Sequence, residues 1–189
     1  LTTAAAGTDL RDAMETLLER ALRAGLVTDA AVARSKTQRG DLWKLREDLS
    51  ESQKYEGGSI KHDISVPIAR IPEFIATAAA AVTALVPGCR PVPFGHMGDG
   101  NIHFNVSQPP GMDKQVFLDG WETMSEKVHD IAAMLGGSIS AEHGVGQLKV
   151  DEIIRYKSPV EIELMRRLKR ALDPLGTLNP GKVVTLGDD

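Results

Sequence analysis

Leu10, Met14, Leu17, Leu18 and Leu22 recur at helical spacing between Thr8 and Gly25, which predicts a first amphipathic helix capped by Thr8 and ended by Gly25. A short extended piece, Ala30 to Ala33, is expected next. Leu42, Leu45 and Leu49 mark a second helix from about Asp41 to Glu51, with Arg46 and Ser50, four apart, on one side of it. Residues 59–66 change period: Ile60, His62, Ile64 and Val66 fall on one face and Lys61, Asp63 and Ser65 on the other, the alternation of a strand. Pro72 suits the first turn of an alanine-rich helix that stops before Pro87-Gly88. From Pro91 to Val106 two extended arms flank the turn Met97-Gly98-Asp99-Gly100-Asn101, a hairpin whose second arm sends Ile102, Phe104 and Val106 to the core and His103 and Asn105 to the polar face. A long helix from about Asp113 to Leu135 ends at Gly136-Gly137. The brief piece Ser138 to Ser140 leads into the loop Ala141 to Gly146, a last helix runs from about Pro159 to Leu172, and Pro174, Gly176, Pro180 and Gly181 break the tail.

Strands alternating with longer helices, together with a hairpin, predict an α+β domain: a mostly antiparallel sheet with helices on one face. The polar face is then left for solvent or for a cleft, and imidazole beside lysine on a sheet fits a cleft better. With 189 residues the chain can bury one core, and we expect a single domain. A net charge of -4 and scattered Lys and Arg carry no footprint for nucleic acid. Cys89 stands alone, which excludes an internal disulfide and fits a reducing compartment, the cytoplasm or an organelle matrix. The longest apolar run, Ile75 to Val86, is short of the roughly 20 residues a membrane span needs, so a buried helix is expected there. The start at Leu1, without initiator Met or signal segment, is simplest for a fragment.

His96 and His103 flank the hairpin turn, one on each arm, so their side chains can converge. Two neutral imidazoles with a carboxylate from another segment, for which Glu142 is the candidate, suit a divalent transition metal with open positions. Ordinary hydrogen bonding of the two rings to the turn backbone is the competing arrangement, and spacing alone does not decide. The turn's glycines match neither the dinucleotide fingerprint nor the phosphate loop, so no nucleotide loop is found. His143, next to Glu142, can serve as a base or be a surface histidine. Arg46 can grip a carboxylate with Ser50 beside it, or pair with neighbouring acids; Lys61 can pair with Asp63 or Asp99; Asn105 can close the hairpin.

Three segments carry a resemblance: Pro93-Phe94-Gly95-His96-Met97-Gly98-Asp99-Gly100-Asn101-Ile102-His103-Phe104-Asn105, Ser140-Ala141-Glu142-His143-Gly144-Val145-Gly146, and Leu178-Asn179-Pro180-Gly181-Lys182. With Leu42 to Glu47 and Lys61 to Pro67, the chain resembles, from about Gly7 to Val183, the C-terminal region of the FAD-linked oxidases, which include D-lactate dehydrogenases, the glycolate oxidase flavoprotein subunit and D-2-hydroxyglutarate dehydrogenase. The resemblance implies a ferredoxin-like cap domain over residues 1–189, with a tail from about 173 that returns to an N-terminal FAD domain absent from the chain. It implies oxidation of a D-2-hydroxy acid to the 2-oxo acid by hydride transfer to FAD. His96, His103 and Glu142 match the family's metal ligands, for zinc or manganese. His143 matches its catalytic base, and Arg46, Ser50, Lys61 and Asn105 its substrate-holding positions. Asn179 and Lys182 lie in the tail motif that turns toward the flavin domain and are the cofactor-binding candidates. The implied partners are that FAD domain, a small 2-hydroxy acid and an electron acceptor; a homodimer is left open. His62 departs from the pattern, because 2-hydroxyglutarate enzymes tend to carry an aromatic residue there. Two other classes stay in view: a non-catalytic module that binds a metal or small acid, and a metal-dependent hydrolase.

Overall fold

Asp9 starts the first helix in the computed structural model, which describes residues 7, 9–96 and 98–186. Its carboxylate accepts from the backbone N–H groups of Arg11 and Asp12, so the helix α1 (Leu10–Arg23) is capped here and not at Thr8, which lies outside the described residues. Ser35 caps α2 (Lys36–Glu47) by accepting from Gln38 N–H, five residues ahead of the expected start. Asp48 is the C-cap of α2, and a separate turn, α3 (Leu49–Ser52), follows. Arg46 and Ser50 therefore stand on two helices, not four apart on one, because the Asp48 cap interrupts the helical ladder; the Ser50 side chain lies outside the described residues. Ala30 to Ala33 is irregular rather than extended strand. These elements form one of two units, residues 1–52, and no described side chain in α1 or α2 is buried.

The second unit, residues 53–189, holds the sheet. Its strands are β1 (Ser59–Ser65), β2 (Arg90–His96) and β3 (Asn101–Ser107), all antiparallel in the order β1-β3-β2. Ser138 adds one antiparallel bridge to Ser65 on the outer side of β1. The order strand, helix, hairpin, helix, bridge is the connectivity of a ferredoxin-like unit whose fourth strand is reduced to a single pair. Helix α4 (Ile71–Leu85) begins with Pro72 in its first turn, behind a 3-10 turn at Ile68–Arg70. The expected helix over 113–135 is two: α5 (Lys114–Asp119), capped by Asp113, and α6 (Trp121–Met134), with Gly120 between them. A short helix not read from the pattern, α7 (Ile153–Tyr156), precedes α8 (Pro159–Leu172), which opens with a capping box between Ser158 and Glu161.

Alternation puts Ile60, Ile64, Ile102, Phe104 and Val106 under the sheet, where Phe74, Ala78 and Val82 of α4 and Met124, Val128 and Ala132 of α6 close the core. Both packing helices lie on this one face. The segment Ile68–Leu85, with mean hydropathy 1.4, is longer than the apolar run expected from Ile75 and is long and apolar enough to cross a membrane by length and composition. Its Phe74, Ala78 and Val82 are instead fully buried in the core.

Candidate metal and acid-base site

The other face of the sheet carries Lys61, Asp63 and Ser65 of β1, Asn101, His103 and Asn105 of β3, and Phe94 and His96 of β2. Register aligns them in rows: Lys61 faces Asn105, Asp63 faces His103 with Phe94 beyond it, and Ser65 faces Asn101 with His96 beyond it. His96 and His103 are thus diagonal neighbours on one face, their rings 6.0 Å apart and perpendicular. The loop after Ser140 brings Glu142 to them, with His96 Nδ1 2.9 Å from Glu142 Oε1. Ligand atoms of His96, His103 and Glu142 all lie within 4.8 Å of one another, and His143 stacks on His103 at 5.9 Å with its own side chain largely exposed.

Asp63, which the sequence analysis gave no role beyond a lysine partner, holds this arrangement together. It is 3% exposed. Its Oδ2 accepts from the backbone N–H groups of Ala141 (3.2 Å), Glu142 (2.8 Å) and His143 (2.8 Å), and its Oδ1 from Asn101 Nδ2 (2.9 Å). Burial works to raise its pKa. The amide hydrogen bonds from His143 and Glu142, the Asn101 amide and the nearby His143 charge outweigh that and keep the carboxyl below the ordinary range. Asp63 also falls with His103 and His143 in a second group of converging ligand atoms. Four N–H donors already occupy both of its oxygens, so its chemistry is that of a loop anchor, and the other set, His96, His103 and Glu142, is the one whose side chains are partly exposed. Two imidazoles and a carboxylate fit a divalent transition metal.

Lys61 is exposed and pairs with neither Asp63 nor Asp99 among the described residues. It lines an open pocket of about 460 Å³ with Gln53, Lys54, Ser59 and Lys114, none of which the sequence pattern had pointed to. Asn105 does not close the hairpin; buried, it donates from Nδ2 to Gln53 Oε1 at 2.9 Å. Arg46 belongs to the first unit, its guanidinium 5.4 Å from the centre of the Trp43 ring. Asn179 and Lys182 lie on the exposed tail turn, Asn179 with a left-handed φ of 47°, and do not by themselves enclose a flavin.

Residues 1–183 match the family described as FAD linked oxidases, C-terminal domain. The chain belongs to that family. It is 41% identical over 165 residues to a D-2-hydroxyglutarate dehydrogenase of Stutzerimonas stutzeri (strain A1501), a match covering 87% of the chain and 35% of that protein. A mitochondrial D-2-hydroxyglutarate dehydrogenase of Arabidopsis thaliana is 35% identical over 183 residues, 97% of the chain and 31% of the relative, and one of Bos taurus is 36% identical over 168 residues, 88% and 29%. The chain spans about a third of the length of these curated relatives. Every candidate residue from Arg46 to Lys182 lies inside the matched FAD linked oxidase span, and those from Lys61 onward lie in the α+β unit whose polar face holds the converging histidines.

Proposed function

We propose that this chain is the substrate- and metal-binding part of an FAD-dependent dehydrogenase that oxidises a D-2-hydroxy acid to the 2-oxo acid. The observation that carries the reading is the convergence of His96, His103 and Glu142 beside His143, on the open face of the sheet of a family member. Bound there, zinc or manganese would supply Lewis acidity toward the substrate's hydroxyl and carboxylate, and FAD, held by protein beyond these residues with Asn179 and Lys182 turned toward it, would supply the hydride acceptor.

The chain's own residues do the rest. His143 takes the hydroxyl proton as C2 gives up its hydride, and its exposure leaves the ring free to reach a substrate. Asp63 keeps the Ala141–His143 backbone against the sheet, so that base and ligands keep their spacing. Lys61 sits one row along the same face from Asp63 and His103, roughly 7 Å away by strand geometry, where a carboxylate at the far end of a substrate would lie. Lys54 and Lys114 share that pocket, and three cations there favour a dicarboxylate such as 2-hydroxyglutarate over lactate or glycolate. Asn105, fixed by Gln53, is a further proposed substrate contact on this face, and Arg46 and Ser50 are proposed as substrate-holding residues on the family resemblance alone. The same reading puts the protein in the cytoplasm or an organelle matrix, in keeping with relatives named mitochondrial, and requires an electron acceptor.

The test uses the longer flavin-containing protein. D-2-hydroxyglutarate is expected to bleach the flavin under anaerobic conditions faster than D-lactate, D-malate or glycolate. A flavin left oxidised by all four acids would sink the dehydrogenase reading and leave a binding module. Elemental analysis after zinc or manganese loading and desalting is expected to find close to one metal per chain, lost in His103→Ala.

A further inference from the structure

A second pocket, of about 390 Å³, lies on the α6 side of the molecule, between α6 and the residues leading into α7. We propose that it binds an aliphatic ammonium or guanidinium group, a ligand chemistry separate from that of the hydroxy-acid face and independent of it.

Four carboxylates line the pocket, those of Glu122, Glu126, Asp151 and Glu152, against one guanidinium, Arg155. Arg155 is committed to Glu126 at 3.4 Å and to Asp130 at 2.9 Å, and Glu152 Oε1 to His129 Nδ1 at 2.5 Å. Glu122 and Asp151 are without an ion pair among the described residues, and although Lys149 acts on Glu152 from outside the lining, the four carboxylates outnumber the nearby cations and leave the pocket an excess of negative charge. Ser125 also lines it. That side chain is 97% buried, being 3% exposed, and its Oγ has no hydrogen-bond partner. Native proteins rarely leave a buried hydroxyl unpaired, and an entering N–H group would satisfy it. Trp121 and the exposed Leu148 supply apolar walls for methylene groups, and the indole face attracts a cation.

A bare metal ion fits less well. Among the described residues the groups whose ligand atoms converge within 4.8 Å are those around His103, and none of the pocket's carboxylates belongs to them. Dispersed carboxylates, a buried hydroxyl and an aromatic wall suit an extended cation with several N–H donors, and the volume is that of an ordinary small-molecule pocket. Free diamines and the lysine or arginine side chain of another protein share this chemistry.

The experiment uses the full chain carrying Trp43→Phe, so that Trp121 is the remaining tryptophan, and follows its fluorescence against agmatine, spermidine and a neutral-flanked peptide with one central arginine. A saturable change with agmatine or spermidine, absent with choline chloride at equal ionic strength, is expected. Glu122→Gln with Asp151→Asn, both exposed positions, is expected to weaken it about tenfold or more, and Ser125→Ala several-fold. Saturation by the peptide alone supports the same site with a partner's side chain as its source. A chain that shows its cooperative thermal transition yet gives no saturable change with any of the three, or equal binding in the double variant, overturns the proposal.

Discussion

Asp63 does at the residue scale what none of the candidate ligands can do for itself. It is a buried carboxylate on a rigid strand that gathers three consecutive amides of a glycine-rich loop, so the loop's conformation is set by charge-assisted hydrogen bonds rather than by packing. Asp63→Ala is therefore expected to cost roughly 2–3 kcal/mol of stability, and to lower zinc affinity about 10–100-fold as second-sphere losses do; a competition titration with a chromophoric chelator reads the second effect. Because the folded-state pKa of Asp63 is depressed, its contribution is present above the unfolded carboxylate range and fades as pH falls through the folded value. His143, the proposed base, is the complementary case, exposed rather than buried. His143→Ala in the complete enzyme should cut kcat far more than it changes KM, and an equal loss in both would remove it as the base. Behind the sheet, His62 donates from Nδ1 to the Phe104 carbonyl at 2.6 Å, and burial, only partly opposed by that bond, pulls its pKa from 6.5 to about 4. The unfolded chain then binds the proton first on acidification, so stability is full above pH 6.5 and declines down to about pH 4, by about 3 kcal/mol in all. His62→Phe should flatten that limb in urea unfolding measured across the same range; an unchanged slope would mean that His62 does not titrate as its burial requires.

At the scale of elements, the hairpin owes its closeness to glycine. A Cβ on Gly95 would stand 2.2 Å from the Asn101 carbonyl oxygen, a backbone atom that cannot swing aside, so the two arms could not keep the spacing that sets His96 diagonal to His103. Gly95→Ala is expected to destabilise by about 2–3 kcal/mol and to loosen metal binding with it; zinc bound at wild-type affinity by a destabilised variant would separate the turn from the site. The residues that made this region legible are those with a strict period. Alternation in residues 59–66 and 101–106 assigns both faces of β1 and β3, including His62 inward and His103 outward, from spacing alone. What alternation left open was set by contacts distant in sequence or by capping. Ser138 became a vestigial fourth strand because Ser65 lies beside it, Asp48 stopped α2 as a cap, and Gly120 split a helix whose apolar spacing runs on without a break. The part Asp63 plays is hidden for the same reason, since its three loop donors lie 78 to 80 residues away and Asn101 lies 38 away.

For the whole molecule, the distribution of apolar surface is the informative quantity. Helix α8 buries Ile162 in a small second core with Ile153 and Val184, yet Val160, Leu164, Leu168 and Leu172, each one turn further along, are all more than half exposed, and Leu175 and Leu178 continue the exposed set beyond its end. A soluble surface seldom carries so long an apolar row without a use for it. The first unit tells a similar story by itself: α1 and α2 are amphipathic in sequence, and neither buries a side chain. Neither feature was legible from spacing, because a helical stripe looks the same in sequence whether its partner is the same chain or another. In a chain that spans about a third of its relatives' length, these faces match what packing against further protein would need. The 189-residue chain by itself should then hide them by self-association. Sedimentation velocity is expected to show mass rising with concentration, and Leu168→Glu with Leu172→Glu to return it to a monomer. Both positions are exposed, so the double variant should keep its thermal transition, which separates lost stickiness from lost folding. A wild-type chain that stays monomeric at every concentration tested would mean that the α8 row is tolerated by solvent, and the case for its covering in a longer protein would fall with it.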